Sequence, residues 1–133
     1  MEVPNDSIHA AIGSAPLADL AESLYRRIER DDRIRPMFSP DLGPQSAAVA
    51  DMREFLIQFF GGPTDYSDRK GHPRLRARHM RFPIDQQARE AWLGHALSAL
   101  DEVAARHALR TEIVGSIAAY LRHASQFMVN RPG

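Results

Sequence analysis

Histidine is the residue type best able to do chemistry in this chain: six are present (His9, His72, His79, His95, His107 and His123) and there is no cysteine. Without cysteine, disulfides, thiolate metal sites and Cys nucleophiles are excluded. The histidines form no His-Glu-x-x-His pair, and the chain has neither a glycine-rich phosphate loop nor a nucleophile elbow. The signatures of zinc hydrolases, nucleotide binders and serine hydrolases are therefore missing. One run is distinctive: Arg69-Lys70-Gly71-His72-Pro73-Arg74-Leu75-Arg76-Ala77-Arg78-His79 gathers five Lys and Arg residues ahead of a terminal histidine. The whole chain balances 17 basic against 17 acidic residues, for a formal net charge of zero. Such a cluster in a neutral protein is either a solvated helix face or a local site for an anionic group.

The setting favours the second reading. Met80, Phe82 and Ile84 follow His79 closely, and the chain on either side is rich in apolar stripes. A planar apolar cofactor that carries carboxylates would use these features together, with an imidazole for its metal, an apolar slot for its ring and cations for its acidic edge. Haem is such a cofactor, and an axial histidine is one of its usual protein ligands. His79 is the candidate ligand. His72, which precedes Pro73, reads equally well as a helix cap or as a contact at the cofactor's edge. The other four histidines are read as structural or solvent-exposed.

The elements that must position these residues are helices. Leu17, Ala21, Leu24, Tyr25 and Ile28 recur at three and four residues, an amphipathic helix with Pro16 in its first turn. Asp31 to Phe38 predicts a turn or one short helix, stopped by Pro36 and Pro40. Val49, Met52, Phe55, Leu56, Phe59 and Phe60 form the next stripe, ended by Gly61-Gly62-Pro63. Residues 62–71 read as a loop, and Pro73 begins a brief helix reaching His79 and closed by Phe82-Pro83. Asp85 can cap a long helix with Ala88, Trp92, His95, Ala99 and Val103 on one side. Thr111 can cap another, carrying Ile113, Ile117, Tyr120, Leu121, Ala124 and Met128. No alternating strand pattern appears, so the expectation is an all-α fold of six or seven helices.

At 133 residues, with 44% hydrophobic and 26% charged residues, the chain suits one globular domain over 1–133, with 1–15 as a loose or short-helix extension. No stretch is apolar enough to span a membrane, and the N-terminal residues lack the pattern of a secretory leader. A cytoplasmic protein with no nucleic-acid or membrane partner is expected.

Taken together, Gly61-Gly62-Pro63, Tyr66, the run Gly71 to His79, Phe82-Pro83-Ile84 and Ala91-Trp92-Leu93 resemble, in order and spacing, the group II truncated haemoglobins. The resemblance extends from about Leu17 to Pro132. It implies a two-over-two helical sandwich around haem b, with His79 as the proximal ligand and Tyr25 and Trp92 facing the ligand-binding side. Trp92 lies thirteen residues beyond His79, as the family pattern requires. Phe38 takes the aromatic position that wedges against the haem, where a tyrosine is often found. The distal histidine of larger globins falls on Ala48, with Met52 one turn on. Asp51 stands where a basic residue commonly reaches a propionate, which leaves Arg78, Arg76 and Tyr66 as expected propionate partners. Phe55, Leu56, Leu75, Phe82, Ile84 and Met128 are expected along the ring, and His72 near its edge. The implied function is binding of oxygen, nitric oxide or carbon monoxide, by a monomer or homodimer served by an unidentified reductase. The alternatives are a nitric oxide dioxygenase or peroxidase-like enzyme using the same pocket, and a haem-free sensor or interaction module.

Overall fold

Four long helices form where the apolar stripes are longest. In the computed structural model, which describes residues 3–80 and 82–132, the helices are α1 (Ile8–Ile12), α2 (Ser14–Ile28), α3 (Ala47–Phe59), α4 (Asp65–Lys70), α5 (Leu75–His79), α6 (Gln86–His107) and α7 (Thr111–Phe127). Two 3₁₀ turns, Asn5–Ser7 and Arg35–Met37, complete the regular structure, and no strand occurs among the described residues. Helices α2 and α3 pack as one pair and α6 and α7 as another, with α2 lying against α6. This is the expected all-α sandwich of two helices over two.

The stripes account for the packing. On α2, Leu17, Leu20, Ala21, Leu24, Tyr25 and Ile28 are buried, and Pro16 sits in the first turn, where a missing N–H is no loss. The Ser46 hydroxyl accepts the Val49 N–H at 3.2 Å and starts α3. Asp85 does the same for α6, accepting the Ala88 N–H at 2.8 Å. Thr111 does not cap α7: the helix begins at Thr111 itself, with Arg110 at the cap position and no side-chain cap bond.

The buried face of α6 differs from the expected stripe. Ala91, Ala96, Ala99, Leu100 and Val103 are buried, whereas Ala88, Trp92 and His95 are only half-buried. The reason is that α6 has neighbours on two sides, α2 and α7. Its core face is correspondingly broad.

The N-terminal segment takes the short-helix form, α1, and is tied down. Ile8 is fully buried, and the His9 N–H donates to the Phe60 carbonyl at 2.8 Å. At Gly61, with φ of 102°, a Cβ would lie 1.9 Å from the Asp6 carbonyl oxygen. Only glycine permits the N-terminal backbone to cross there.

Ion pairs stitch α2 to α6. The Glu102 carboxylate accepts from Ser23 at 2.9 Å, from Arg27 at 3.0 Å and from Arg26 at 3.0 Å, and also pairs with Arg106. His107 pairs with Asp19 at 2.7 Å and His95 with Asp31 at 2.6 Å, so both are structural, as read. His123 is exposed, and the His9 ring meets the Ser14 hydroxyl at 2.8 Å.

Residues 62–71, expected as a loop, contain α4. The segment lacks an apolar stripe, only Tyr66 being buried. Its helix is supported instead by Asp65 and Asp68 in the first turn and Arg69 and Lys70 in the last, which complement the helix dipole. The Gln58 side chain bonds both the Ser67 N–H at 2.9 Å and its hydroxyl at 2.7 Å, fixing α4 to α3.

Candidate functional site

Between the two helix pairs lies a cavity of about 680 Å³, a size suited to an organic cofactor. Its wall from α2, the following turn and α3 comprises Tyr25, Phe38, Ala48, Met52, Phe55 and Leu56. Tyr66, Leu75, Arg78, His79, Phe82 and Ile84 continue it, and Trp92 and Met128 close it from α6 and the end of α7. All of these were expected at the site. Residues the sequence reading missed include Ile34, Met37, Lys70, Arg89 and Tyr120. Tyr120 carried a signal, since it belongs to the α7 stripe, and so did Lys70, as part of the basic run, but Ile34 comes from a segment without periodicity.

His79 ends α5, a helix of five residues with no buried side chain. So short a helix cannot sustain itself. It starts at Leu75 and not at Pro73, because Arg74 adopts the left-handed conformation (φ 44°, ψ 52°), and the His72 ring nitrogen Nδ1 accepts the Arg74 N–H at 3.1 Å. His72 thus closes a turn, is exposed, and lies off the cavity wall. Arg76 is also off the wall. Its guanidinium donates to the carbonyls of Phe127 at 3.1 Å and Val129 at 3.5 Å, satisfying acceptors left open at the end of α7. Asn130 adds a second tether: its amide donates to the His79 carbonyl at 3.2 Å, and its side-chain oxygen accepts the Ile84 N–H at 3.0 Å.

Within α5, Nδ1 of His79 lies 2.6 Å from the Leu75 carbonyl oxygen. A carbonyl can only accept, so Nδ1 carries a proton, and in the neutral ring Nε2 then keeps its lone pair. This is the arrangement that orients a metal-binding histidine. Among the described residues no three His, Asp or Glu side chains gather as a metal-ligand cluster. A solitary imidazole on an apolar cavity can hold a metal when the remaining ligands arrive with it, as they do in haem.

Not every polar tip on the cavity wall is engaged. The Tyr25 hydroxyl and the Trp92 indole N–H have no hydrogen-bond partner among the described residues. The Tyr25 ring packs edge-on against Phe38, with centroids 5.9 Å apart. Burial, with help from Asp51 and Tyr66, pushes the Tyr25 hydroxyl up to about 12, so it remains a proton-bearing donor. Tyr120 stacks on Phe59 at 3.9 Å, and burial raises its hydroxyl to about 12 also.

Charge is placed at the cavity's edge. Lys70, Arg78 and Arg89 line it as cations. Arg78 donates to the carbonyls of Lys70 at 2.9 Å and His72 at 3.2 Å. Its guanidinium stands 5.8 Å from the Tyr66 ring centre. Arg89 donates to the Ser125 hydroxyl at 3.0 Å and to the Arg122 carbonyl at 3.0 Å. Asp51 is half-buried on the same wall and pairs with Lys70 at 2.9 Å and Arg69 at 2.8 Å. Burial alone would raise the Asp51 carboxyl, but the hydrogen bonds from Lys70 and Arg69 hold it below its ordinary range. An apolar slot, an oriented imidazole and the edge cations Arg78 and Arg89 are together what haem requires, and the residues present fit it.

Known proteins agree with this geometry. Residues 7–127 match the model of the bacterial-like globin family. Over 123 residues the chain is 34% identical to the group 2 truncated haemoglobin of Bacillus subtilis, covering 92% of this chain and 88% of that protein. The haemoglobin of the thermophilic phototrophic bacterium Chloroflexus aurantiacus shares the fold with a TM-score of 0.85 at 42% identity, over 97% of this chain and 100% of that one. A truncated oxygen-avid haemoglobin structure from Bacillus subtilis gives a TM-score of 0.83 at 34% identity, covering 92% and 98% of the two chains. Among the described residues no helix is long and apolar enough to cross a membrane. The chain therefore belongs to the bacterial-like globins, among the group II truncated haemoglobins, and haem-based ligand binding is the function that this membership implies.

Proposed function

We propose that the protein binds oxygen, and other diatomic ligands such as nitric oxide and carbon monoxide, on haem b held by Nε2 of His79. The observation that carries the reading is the bond from His79 Nδ1 to the Leu75 carbonyl, which makes Nε2 the ring nitrogen left for a metal, on a residue that lines the cavity. Ferrous haem supplies the coordination position at which a diatomic ligand sits.

The remaining work falls to the side chains. Leu75, Phe82, Ile84 and Met128 give the ring an apolar bed, and Phe38 supports the Tyr25 ring. Ala48 leaves room where a larger residue would obstruct entry, and Met52 fills space without donating a hydrogen bond. Tyr25 and Trp92 provide two unengaged donors for a ligand that gains negative charge. Hydrogen bonds to charged groups contribute about 1.5–3 kcal/mol, roughly a ten- to hundredfold effect on ligand escape. The oxygen-avid relative in Bacillus subtilis favours oxygen as the ligand. Arg78, Arg89 and Tyr66 face the carboxylate edge.

Ligand release tests this assignment. Tyr25→Phe and Trp92→Phe should each release oxygen about tenfold faster, while carbon monoxide, which develops less charge, changes much less. A change in pocket volume alone would move both gases together. Oxygen release at the parental rate in both variants would make Tyr25 and Trp92 plain core aromatics.

A further inference from the structure

Among the described residues of the cavity wall, Asp51 is the one carboxylate, and haem would bring two more to the same cavity. The three wall cations are not in equivalent states. Arg78 is bonded to carbonyl oxygens, and Arg89 to a carbonyl and a hydroxyl. Neutral acceptors of this kind yield readily to a carboxylate, whose charge-assisted bonds are about twice as strong. Lys70 differs, because its ammonium is already bound to the Asp51 carboxylate at 2.9 Å.

We infer that Asp51 withholds Lys70 from a haem propionate and so limits how firmly the protein keeps its cofactor. The inference rests on haem being the cavity's occupant. For a propionate to gain Lys70, the Lys70–Asp51 pair has to open, and the half-buried carboxylate then faces a second one nearby. The exchange is feasible because Asp51 would not be stranded: Arg69 holds its other oxygen at 2.8 Å and is itself anchored by Glu54. Lys70 is the mobile member. It is the last residue of α4, and its flexible stem lets the ammonium swing while the backbone stays in place. The same pairs join α3 to α4, so Asp51 has opposite effects on the empty and the filled protein. It fastens the cleft when empty and opposes the cofactor when filled.

Haem transfer to an excess of a haem-scavenging apoprotein, followed by absorbance, separates these effects. In Asp51→Asn, which keeps an acceptor for Arg69, haem loss should slow about two- to fivefold, in line with the modest worth of exposed charge pairs. The melting temperature of the empty variant should fall in the same experiment. Lys70→Met should leave the parental rate within about twofold and should erase the gain in an Asp51→Asn background. Haem loss in Asp51→Asn at the parental rate or faster would overturn the inference, and so would a gain that survives Lys70→Met. Tenfold faster loss in Lys70→Met alone would also overturn it, because Lys70 would then be a standing propionate partner. A parental protein that takes up no haem would instead remove the cofactor reading itself, and this inference with it.

Discussion

The α2–α6 interface and the short helix α5 are held in opposite ways. Along α2 and α6, Leu17, Leu20, Leu24, Ala96, Leu100 and Val103 are buried, and the Glu102 network closes the rim. Helix α5 buries no side chain and is tethered by Arg76 and Asn130 to the end of α7 and the chain just beyond it. Stability therefore resides in the α2–α6 frame, while His79, the proposed iron ligand, rides on a segment with little core of its own. Because ligand binding adds its free energy to whichever state it favours, haem should order α5 far more than it stabilises the frame.

Breaking the frame should have the larger effect. Hydrogen bonds from Arg27 and Ser23 hold the Glu102 carboxyl down at about 2, and Asp31, bound by Arg33 and His95, is also held well below the usual carboxylate range. A carboxyl depressed in the folded state stabilises fully above its unfolded value, and the contribution is lost as pH falls through the folded value. Glu102→Ala should therefore cost about 1 kcal/mol near neutrality, given partly exposed partners. Denaturant melts should show that deficit shrinking between about pH 4.5 and 2. A deficit constant through that window would mean that Glu102 acts by packing and not by charge.

Loosening the tether should have the smaller global effect and the more local one. Arg76→Ala should shift the denaturation midpoint of the empty protein by only a few tenths of a kcal/mol, yet speed amide exchange at residues 75–79 severalfold with α2 and α6 unchanged. Equal acceleration in α2 would contradict the division between frame and segment.

What the sequence disclosed follows the same division. Stripes and caps marked α2, α3 and α6, because core packing imposes a period on the chain; Asp85 and Gly61 are at the ends where they were expected. His79 was legible as a cavity residue because a basic run and a terminal histidine are local features. Helix α4 was not, since its support comes from charge order and from Gln58, nine residues away. Arg76 was read as a propionate partner, but its acceptors are 51 and 53 residues distant, and no local pattern encodes such a contact. The Asp51–Lys70 pair, 19 residues apart across two helices, was hidden for the same reason.

The proposed bond between His79 and haem is tested most directly by adding haem to the empty parental protein and to His79→Ala, then reading the visible spectrum before and after exposure to a scavenging apoprotein. The parental protein should develop a sharp Soret band that persists, and His72→Ala should match it, because His72 lies off the cavity wall. His79→Ala should give a weak, shifted band that is quickly lost. A Soret band of parental position and persistence in His79→Ala would show that another residue holds the iron, and would contradict the assignment.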